Sequence, residues 1–469
     1  MLKTTKIENL VQMIQTQIAN HTLIPGERLP SVRQMAEQMS YSVSTVIEAY
    51  ARLVAMNIIE ARKGAGYFVC SPLKTANTIQ PRMHYDREVD PLWISRQSLI
   101  AETHVIKAGC GWLPNDWMPE HCIRKALKTV ATNSVNTLID YPPPYGHLAL
   151  REYIAKKNEK YDLNIDTSQI LITDSATQSI DLIFRLLLKA GDVILIDDPC
   201  YFNFLALINV HHLQAIAIPF TETGPDLKHF ENALQHRPKL YLTNSGIHNP
   251  TGASLALQTA YQVAKLCEQA NVVIIEDDIF SEFEFSPAPR YSALMGLNQV
   301  IQIGSFSKTL SASIRCGYII TDHKKIDQLV DLKIATNFSS GHLNAEIIYH
   351  AMNDSSYRKH IQHLRQRLIN AMNDTLRRLK DLGIEAKVIP KAGLFIWCQL
   401  PDEIDAAELS KICLQNDVIL APGSAFSQDD AAKKCLRFNV AQSSQEKVYQ
   451  VLKTAIEMLR NDTKHSTKH

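Results

Sequence analysis

The sequence predicts two folds in one chain: a small α+β unit of three helices and a hairpin, then a much larger α/β unit that ends in a smaller α+β lobe. Three observations predict this. The first 70 residues carry three apolar stripes at helical spacing and two short β-prone runs, a polar proline-punctuated stretch follows, and beyond it apolar strand-like runs alternate with helical stretches. That alternation is the pattern of a largely parallel sheet whose strands are joined by helices. The chain has 469 residues, and at roughly 150 residues per domain two or three units are expected.

Composition sets outer bounds. With 45% hydrophobic and 21% charged residues and a formal net charge of +1, the chain has the makeup of a folded globular protein and not of a disordered one. Net charge gives no sign of a nucleic-acid partner, although a basic patch on one small domain disappears in a whole-chain sum. Nine cysteines are scattered from Cys70 to Cys435 without a CxxC pair, so neither a disulfide framework nor a metal site is expected. The start, Met1 to Leu10, carries Lys3, Lys6 and Glu8 and lacks a secretory pattern. No apolar run approaches the roughly 20 residues that span a bilayer. A cytoplasmic protein with reduced thiols and no membrane partner is predicted.

The elements follow in order. Ile7, Leu10, Val11, Ile14 and Ile18 form the stripe of a first helix, which should stop before Pro25-Gly26. Ser31 then begins Ser31-Val32-Arg33-Gln34, an N-cap with glutamine three residues on, and Met35, Ala36 and Met39 give a second, two-turn helix its apolar face. A third helix starts at Ser42 and runs through Val46, Ala49, Tyr50, Leu53 and Val54. Two β-prone runs, Ile58–Ala61 and Tyr67–Val69, are joined across Arg62-Lys63-Gly64-Ala65-Gly66. Three helices and a hairpin make a winged helix-turn-helix.

From Ser71 to about Asp90 the chain is polar, with Pro72, Pro81 and Pro91 near by, and reads as a linker. The leading strand candidates beyond it are Ile170–Thr173, Val193–Ile196, Leu213–Ile218, Lys239–Thr243, Val272–Glu276 and Val300–Ile303. From about Ser339 to Arg460 the pattern is mostly helical, with strands near Ala386–Ile389, Gly393–Gln399 and Cys435–Val440. Residues 461–469 are polar and expected to be frayed.

The block Pro25-Gly26-Glu27-Arg28-Leu29-Pro30-Ser31-Val32-Arg33, followed by Ser42 to Val46, Ala49-Tyr50 and Lys63 to Val69, resembles the GntR-type winged helix and implies double-stranded operator DNA as a partner. The amides behind Ser31, with Arg33, suit a phosphate, while Ser42, Ser44 and Thr45 stand at the leading end of a helix that can enter the major groove. Arg62 or Lys63 on the wing would reach backbone or minor groove. Seven basic residues face five acidic ones across residues 1–70, a weak electrostatic footprint. Where such helices usually carry arginine after the first serine, this chain has Val43. A winged-helix scaffold used for protein contacts is the alternative.

Gly304-Ser305-Phe306-Ser307-Lys308-Thr309-Leu310, with Arg315 seven residues after the lysine, resembles the Schiff-base segment of fold-type I aminotransferases. A lysine in a largely dry pocket has a lowered pKa and a free amine, and the resemblance makes Lys308 the attachment point of pyridoxal 5′-phosphate. Ser305, Ser307 and Arg315 would hold the cofactor's phosphate, joined by Ser175, Ala176 and Thr177 at the start of a helix. Asp277, ending a hydrophobic strand, would pair with the pyridinium nitrogen. Asn249, in Asn249-Pro250-Thr251-Gly252, matches the residue that bonds the phenolic oxygen, and Tyr201 the aromatic stacked on the ring. Tyr141, ahead of Gly146 and Leu150-Arg151, fits the segment that reaches a neighbouring subunit's phosphate and implies a homodimer. Arg437, in Leu436-Arg437-Phe438-Asn439-Val440, resembles the arginine that forks the substrate's α-carboxylate. Phe280 stands where the family usually has a tyrosine that donates to the phenolic oxygen, so transamination is expected to be weak or vestigial.

A winged helix fused to such a domain resembles the MocR subgroup of GntR regulators. The resemblance implies a winged helix over residues 1–70 and an aminotransferase class I/II-like unit over 104–460; the polar stretches outside it are expected to be a linker over 71–103 and a disordered tail over 461–469. It also implies a regulator whose second domain senses an amino acid, an amine or pyridoxal phosphate itself. An active amino-acid aminotransferase with an accessory DNA-binding domain is the alternative.

Overall fold

The computed structural model describes residues 5–20, 22–70, 92–132, 138–401 and 404–466, and the chain divides into two compact units, residues 1–82 and 83–469. Each unit is built on its own core.

In the first unit three helices, α1 (Lys6–Ala19), α2 (Val32–Met39) and α3 (Val43–Ala55), precede a hairpin of β1 (Ile59–Arg62) and β2 (Gly66–Val69). Each helix starts on a side-chain cap. Thr5 and Glu8 form a capping box on α1, Ser31 and Gln34 form another on α2, and the Ser42 hydroxyl accepts the Thr45 amide on α3. Ser40, with φ 52°, ends α2 in the left-handed conformation and turns the chain toward α3. The antiparallel hairpin pairs Ile59 with Val69 and Arg62 with Gly66. Leu10, Ile14, Val46, Ala49, Tyr50 and Leu53 are fully buried between the helices, each larger one worth about 1.5–3 kcal/mol of burial. The Tyr50 hydroxyl donates to the Pro30 carbonyl at 2.9 Å, tying α3 to the entry of α2.

The second unit is organised around an eight-stranded sheet of β3 (Ile170–Thr173), β4 (Val193–Asp198), β5 (Gln214–Thr221), β6 (Gly224–Pro225), β7 (Leu240–Thr243), β8 (Val273–Asp277), β9 (Val300–Ser305) and β10 (Gly317–Ile320). Their order is β3-β10-β9-β8-β7-β4-β5-β6. Strands β5, β4, β7, β8 and β9 are mutually parallel, whereas β10 runs antiparallel to both its neighbours. Side chains alternate between two layers of helices. Ile194, Ile196, Leu240, Leu242 and Ile275 pack toward helices Ala176–Leu187, Phe202–Val210 and His323–Asn337. Leu195, Tyr241 and Ile274 pack toward Leu227–Ala233, Leu257–Ala270 and Tyr291–Met295. The apolar runs are continuous because both faces are covered.

The smaller lobe carries a four-stranded sheet, β11 (Glu385–Ala386), β12 (Phe395–Gln399), β13 (Ala421–Pro422) and β14 (Cys435–Asn439), in the order β11-β12-β14-β13. Helices Ser355–Asp381, Ala406–Gln415 and Glu446–Ser466 belong to it.

Three expectations need correction. The linker expected over 71–103 does not extend to residue 103, because Trp93–Ile100 is a helix whose Trp93 and Ile94 are buried against Trp397, Ile419 and Phe426. Its earlier part, 71–91, lies outside the described residues. The tail expected from 461 is helical as far as Ser466, since Glu446–Ser466 is one helix, and residues 467–469 lie outside the described residues. The strand near Ala386–Ile389 pairs only at Glu385 and Ala386, and Ile389 is exposed as the chain runs on to Pro390, which has no amide to donate.

Candidate functional site

Most of the residues predicted to hold a cofactor arrive at one edge of the large sheet. Ser175 follows the end of β3, Tyr201 follows β4, Asn249 follows β7, Asp277 closes β8, and Ser305 closes β9 just ahead of Ser307 and Lys308. Gly317 pairs with both Thr173 and Ser305, so the antiparallel β10 begins at the same edge and brings Arg315 with it. This is where α/β sheets place ligands, beyond the carboxyl ends of their parallel strands. A Cβ on Gly317 would stand 2.5 Å from the Ser175 carbonyl carbon, so glycine is what lets β10 approach the helix that opens at Ser175. Ser175 caps that helix by accepting the Gln178 amide at 3.0 Å, and Ala176 and Thr177 contribute its first turn. The Thr177 hydroxyl accepts from Asn203 at 3.3 Å. Ser305 is bonded to Ser307 and to the Cys316 carbonyl, each at 3.0 Å.

The charges at this edge are poorly matched. Lys308 lies on the wall of a cleft of about 1020 Å³ that Ser307, Arg315, Lys107 and Trp112 also line, and its amine donates to the Gly111 carbonyl at 2.7 Å. Burial and the nearby Arg437 pull it down to about 8. Asp277 is 3% exposed; its carboxylate receives a long bond, 3.3 Å, from the Ile279 amide and a second from the Asn244 side chain. Burial pushes its carboxyl up to about 7. Arg437 is fully buried on β14, donating to the Asn249 side-chain oxygen at 2.8 Å and to the Gly109 carbonyl at 2.6 Å. Its guanidinium lies 4.3 Å from the Phe395 ring centre and 4.6 Å from that of Phe426, and no carboxylate among the described residues pairs with it. Burial draws it down to about 10. Tyr201 packs on Phe202 and Phe204 and feels the charges of Arg437, Asp277 and Arg315.

Tyr141 is not in this cleft. It is 75% exposed and stands edge-on to Phe338.

In the first unit, Arg33, Ser42, Ser44 and Lys63 are exposed, and Ser31 and Ser42 serve as helix caps. The Ser42 hydroxyl also bonds Ser44 at 3.0 Å and Thr45 at 2.7 Å. Arg62 is engaged within the hairpin, bonded to Glu60 and stacked over Phe68 at 4.4 Å. Neither Arg33 nor Lys63 makes an ion pair among the described residues.

Comparison with known proteins matches both halves. The family described as aminotransferase class I and II matches residues 104–454, and that described as bacterial regulatory proteins, gntR family, matches residues 6–69. The HTH-type transcriptional regulator YdcR of Escherichia coli is 29% identical over 96% of this chain and 97% of its own length. YdfD of Bacillus subtilis, also an HTH-type regulator, is 27% identical over 92% of this chain and 91% of its own. NorG of Staphylococcus aureus is 27% identical over 91% of this chain and 98% of its own. Among solved structures, kynurenine aminotransferase of Pyrococcus horikoshii superposes with a TM-score of 0.71 at 25% identity, covering 79% of this chain and 94% of that one. LysN, an α-aminoadipate aminotransferase of Thermus thermophilus, gives 0.70 at 21% identity over 78% and 95%.

The chain belongs to the class I and II aminotransferase family. Its GntR-type N-terminal region makes it a MocR-type chain, a winged helix joined to a fold-type I aminotransferase-like domain.

Part of the MocR-type site went unread in the sequence. The segment Lys107 to Leu113 runs between Lys308 and Arg437, offering the Gly111 carbonyl to one and the Gly109 carbonyl to the other. Asn439 anchors it through the carbonyls of Cys110 and Trp112 at 3.0 and 2.8 Å. The signal was the pair of glycines around Cys110: a Cβ on Gly109 would meet the Ala421 amide at 2.3 Å. Phe280 is buried and edge-on to Phe395, the ring beneath Arg437.

Away from this edge, His147, His342 and Glu346 offer atoms within 4.8 Å of one another. His147 Nδ1 accepts the Leu150 amide at 3.0 Å, which leaves the ring proton on Nε2, facing the Glu346 carboxylate. That grouping works as a helix cap tied to a carboxylate. Among the described residues no helix is long and apolar enough to cross a membrane.

Proposed function

We propose that this MocR-type protein is a DNA-binding transcription regulator whose aminotransferase-like unit holds pyridoxal 5′-phosphate and senses an amino acid or amine there. One observation carries the reading: a fully buried arginine, Arg437, without a carboxylate partner among the described residues stands beside a lysine, Lys308, whose amine is shifted toward its neutral form. A buried guanidinium left without a counter-ion costs several kcal/mol, and a ligand's α-carboxylate removes that cost through two parallel bonds.

The residues present fit the cofactor. Lys308 supplies the amine for attachment, and Asp277, a buried carboxylate with no cation bonded to it among the described residues, suits a protonated ring nitrogen. Asn249 turns its oxygen to Arg437 and keeps its amide group for the phenolic oxygen. Ser175, Ala176, Thr177, Ser305, Ser307 and Arg315 would hold the phosphate, with Tyr201 against the ring. When bound, the cofactor supplies an aldehyde that captures primary amines and a ring that withdraws electrons. Phe280 brings no hydroxyl to the phenolic oxygen, which favours sensing over turnover.

The DNA contacts proposed are Arg33 behind the Ser31 cap, Ser42, Ser44 and Thr45 at the head of α3, and Lys63 with Arg62 on the wing. YdcR, YdfD and NorG bear regulator names and match this chain almost end to end. The protein is proposed to work as a homodimer: exposed Tyr141, outside the cleft lining, lies against exposed Phe338 and two residues from exposed Ile139, an apolar surface that a second copy would cover.

The test is a visible absorption scan of the protein loaded with pyridoxal phosphate during titration with amino acids and amines. A ligand that moves the spectrum without release of keto acid supports a sensor. Steady keto acid production makes the protein a working aminotransferase.

A further inference from the structure

The recognition helix α3 presents an apolar surface where a DNA-reading helix usually presents polar groups. Val43 is 48% exposed and Ile47 is 50% exposed. They are four residues apart, so both lie on one face of α3, about 6 Å apart along its axis. Their neighbours Val46, Ala49 and Tyr50 are fully buried, so the helix has apolar residues on two sides and only one of them serves the core.

At the head of α3 one hydroxyl is already committed. The Ser42 hydroxyl accepts the Thr45 amide and is bonded to the hydroxyls of Ser44 and Thr45, which fills the capacity of one hydroxyl. Further along the exposed face, Glu48 is paired with Arg52 at 2.9 Å, so the face carries no uncompensated acid to repel a phosphate. Exposed Arg33 and Lys63 bring positive charge from α2 and the wing. Beside the hydroxyls of Ser44 and Thr45, which keep capacity for a further bond, what the first two turns offer to base edges is aliphatic.

We infer that Val43 and Ile47 read thymine methyl groups in the major groove, making this a regulator that selects its operator through van der Waals contacts with A·T pairs. This deepens the DNA-binding reading and rests on it. The thymine C5-methyl is the one apolar group in the major groove of unmodified DNA, and a valine or isoleucine side chain has no donor or acceptor for anything else there. With base pairs stacked at about 3.4 Å, two side chains 6 Å apart along the helix reach methyls within roughly two base-pair steps.

The experiment selects duplexes from a randomised pool with the full-length protein, then resynthesises a selected duplex with deoxyuridine in place of thymidine at one position at a time. That change removes the methyl and leaves every hydrogen-bonding group in place. One or two thymines in each half-site are expected to lose about fourfold in affinity, the worth of burying one methyl-sized group. Val43→Ala and Ile47→Ala, which touch no core contact, are each expected to abolish the difference between the two bases at its own position. Equal affinity for thymidine and deoxyuridine duplexes at every position overturns the inference and leaves DNA binding standing, as does undiminished discrimination in both alanine variants. A pool that yields no bound duplex overturns the DNA-binding reading itself, and the inference with it.

Discussion

Arg437 reaches across from the small lobe and donates to the side-chain oxygen of Asn249 at 2.8 Å, joining β14 to the turn that follows β7. The bond fixes the Asn249 amide with its oxygen toward the guanidinium and its two N–H donors elsewhere. One residue on each lobe is therefore oriented by the other before any ligand arrives. Ligand carboxylate and cofactor oxygen, the partners proposed for these two side chains, would be held by a pair already in register.

The Arg437→Lys substitution tests this pairing. A lysine keeps the charge and loses the two-pronged geometry. Amino acids should bind about 10- to 100-fold more weakly, as judged by spectral titration, while amines without a carboxylate keep their affinity. Equal losses for both classes would assign Arg437 a packing role.

Lys308 sets a pH dependence. Its ammonium is disfavoured in the folded protein, with the pKa lowered to about 8 by burial and the charge of Arg437. Attachment needs the neutral amine, so it should be fast above pH 8 and slow as the pH falls through 8. Between pH 7 and pH 9 the neutral share rises about tenfold, and the initial rate of visible-band growth after addition of pyridoxal phosphate should follow. A rate still climbing through pH 10 would mean an ordinary solvated lysine. Lys308→Ala should show no band.

Gly109→Ala tests the segment that the sequence reading missed. Its methyl would arrive 2.3 Å from backbone atoms of Leu420 and Ala421, which cannot retreat as a flexible side chain could. The segment must then move away from Arg437 and Lys308, at a cost of about 1–3 kcal/mol or more. Thermal unfolding of the variant should fall by several degrees and its amino-acid affinity should drop with it.

Arg33→Ala separates charge from fold. Arg33 is exposed, so unfolding should be unchanged, while DNA affinity falls and the slope of log affinity against log salt decreases by about 1. An unchanged slope would remove Arg33 from the phosphate contacts.

What was legible in the sequence was local or ordered along the chain. Ser31 and Gln34 announce a helix start and form the capping box that they predict. The β3 run Ile170–Thr173 was read with its observed ends, since all four residues are buried and aliphatic or threonine. Lys308, Asp277 and Asn249 stood out in the sequence because their motifs follow the order of the aminotransferase resemblance, and each lies at or a few residues beyond the end of an apolar strand. The contacts of Gly109 and Gly111 were not legible, because they depend on backbone carbonyls from a segment with no periodicity. The helix Trp93–Ile100 was lost for a related reason: its start lacks a side-chain cap, and it is buried against Trp397 and Phe426. That is tertiary packing overriding weak local signals.

The central claim, that one protein couples an amino-acid site to a DNA site, is tested most directly by measuring operator affinity by fluorescence anisotropy with and without a saturating spectral ligand. Linkage requires the reciprocal experiment to give the same factor, the operator changing ligand affinity as much as the ligand changes operator affinity. The account predicts a shift of about fivefold or more, lost in Lys308→Ala. Ligand binding and turnover that leave operator affinity untouched would contradict it.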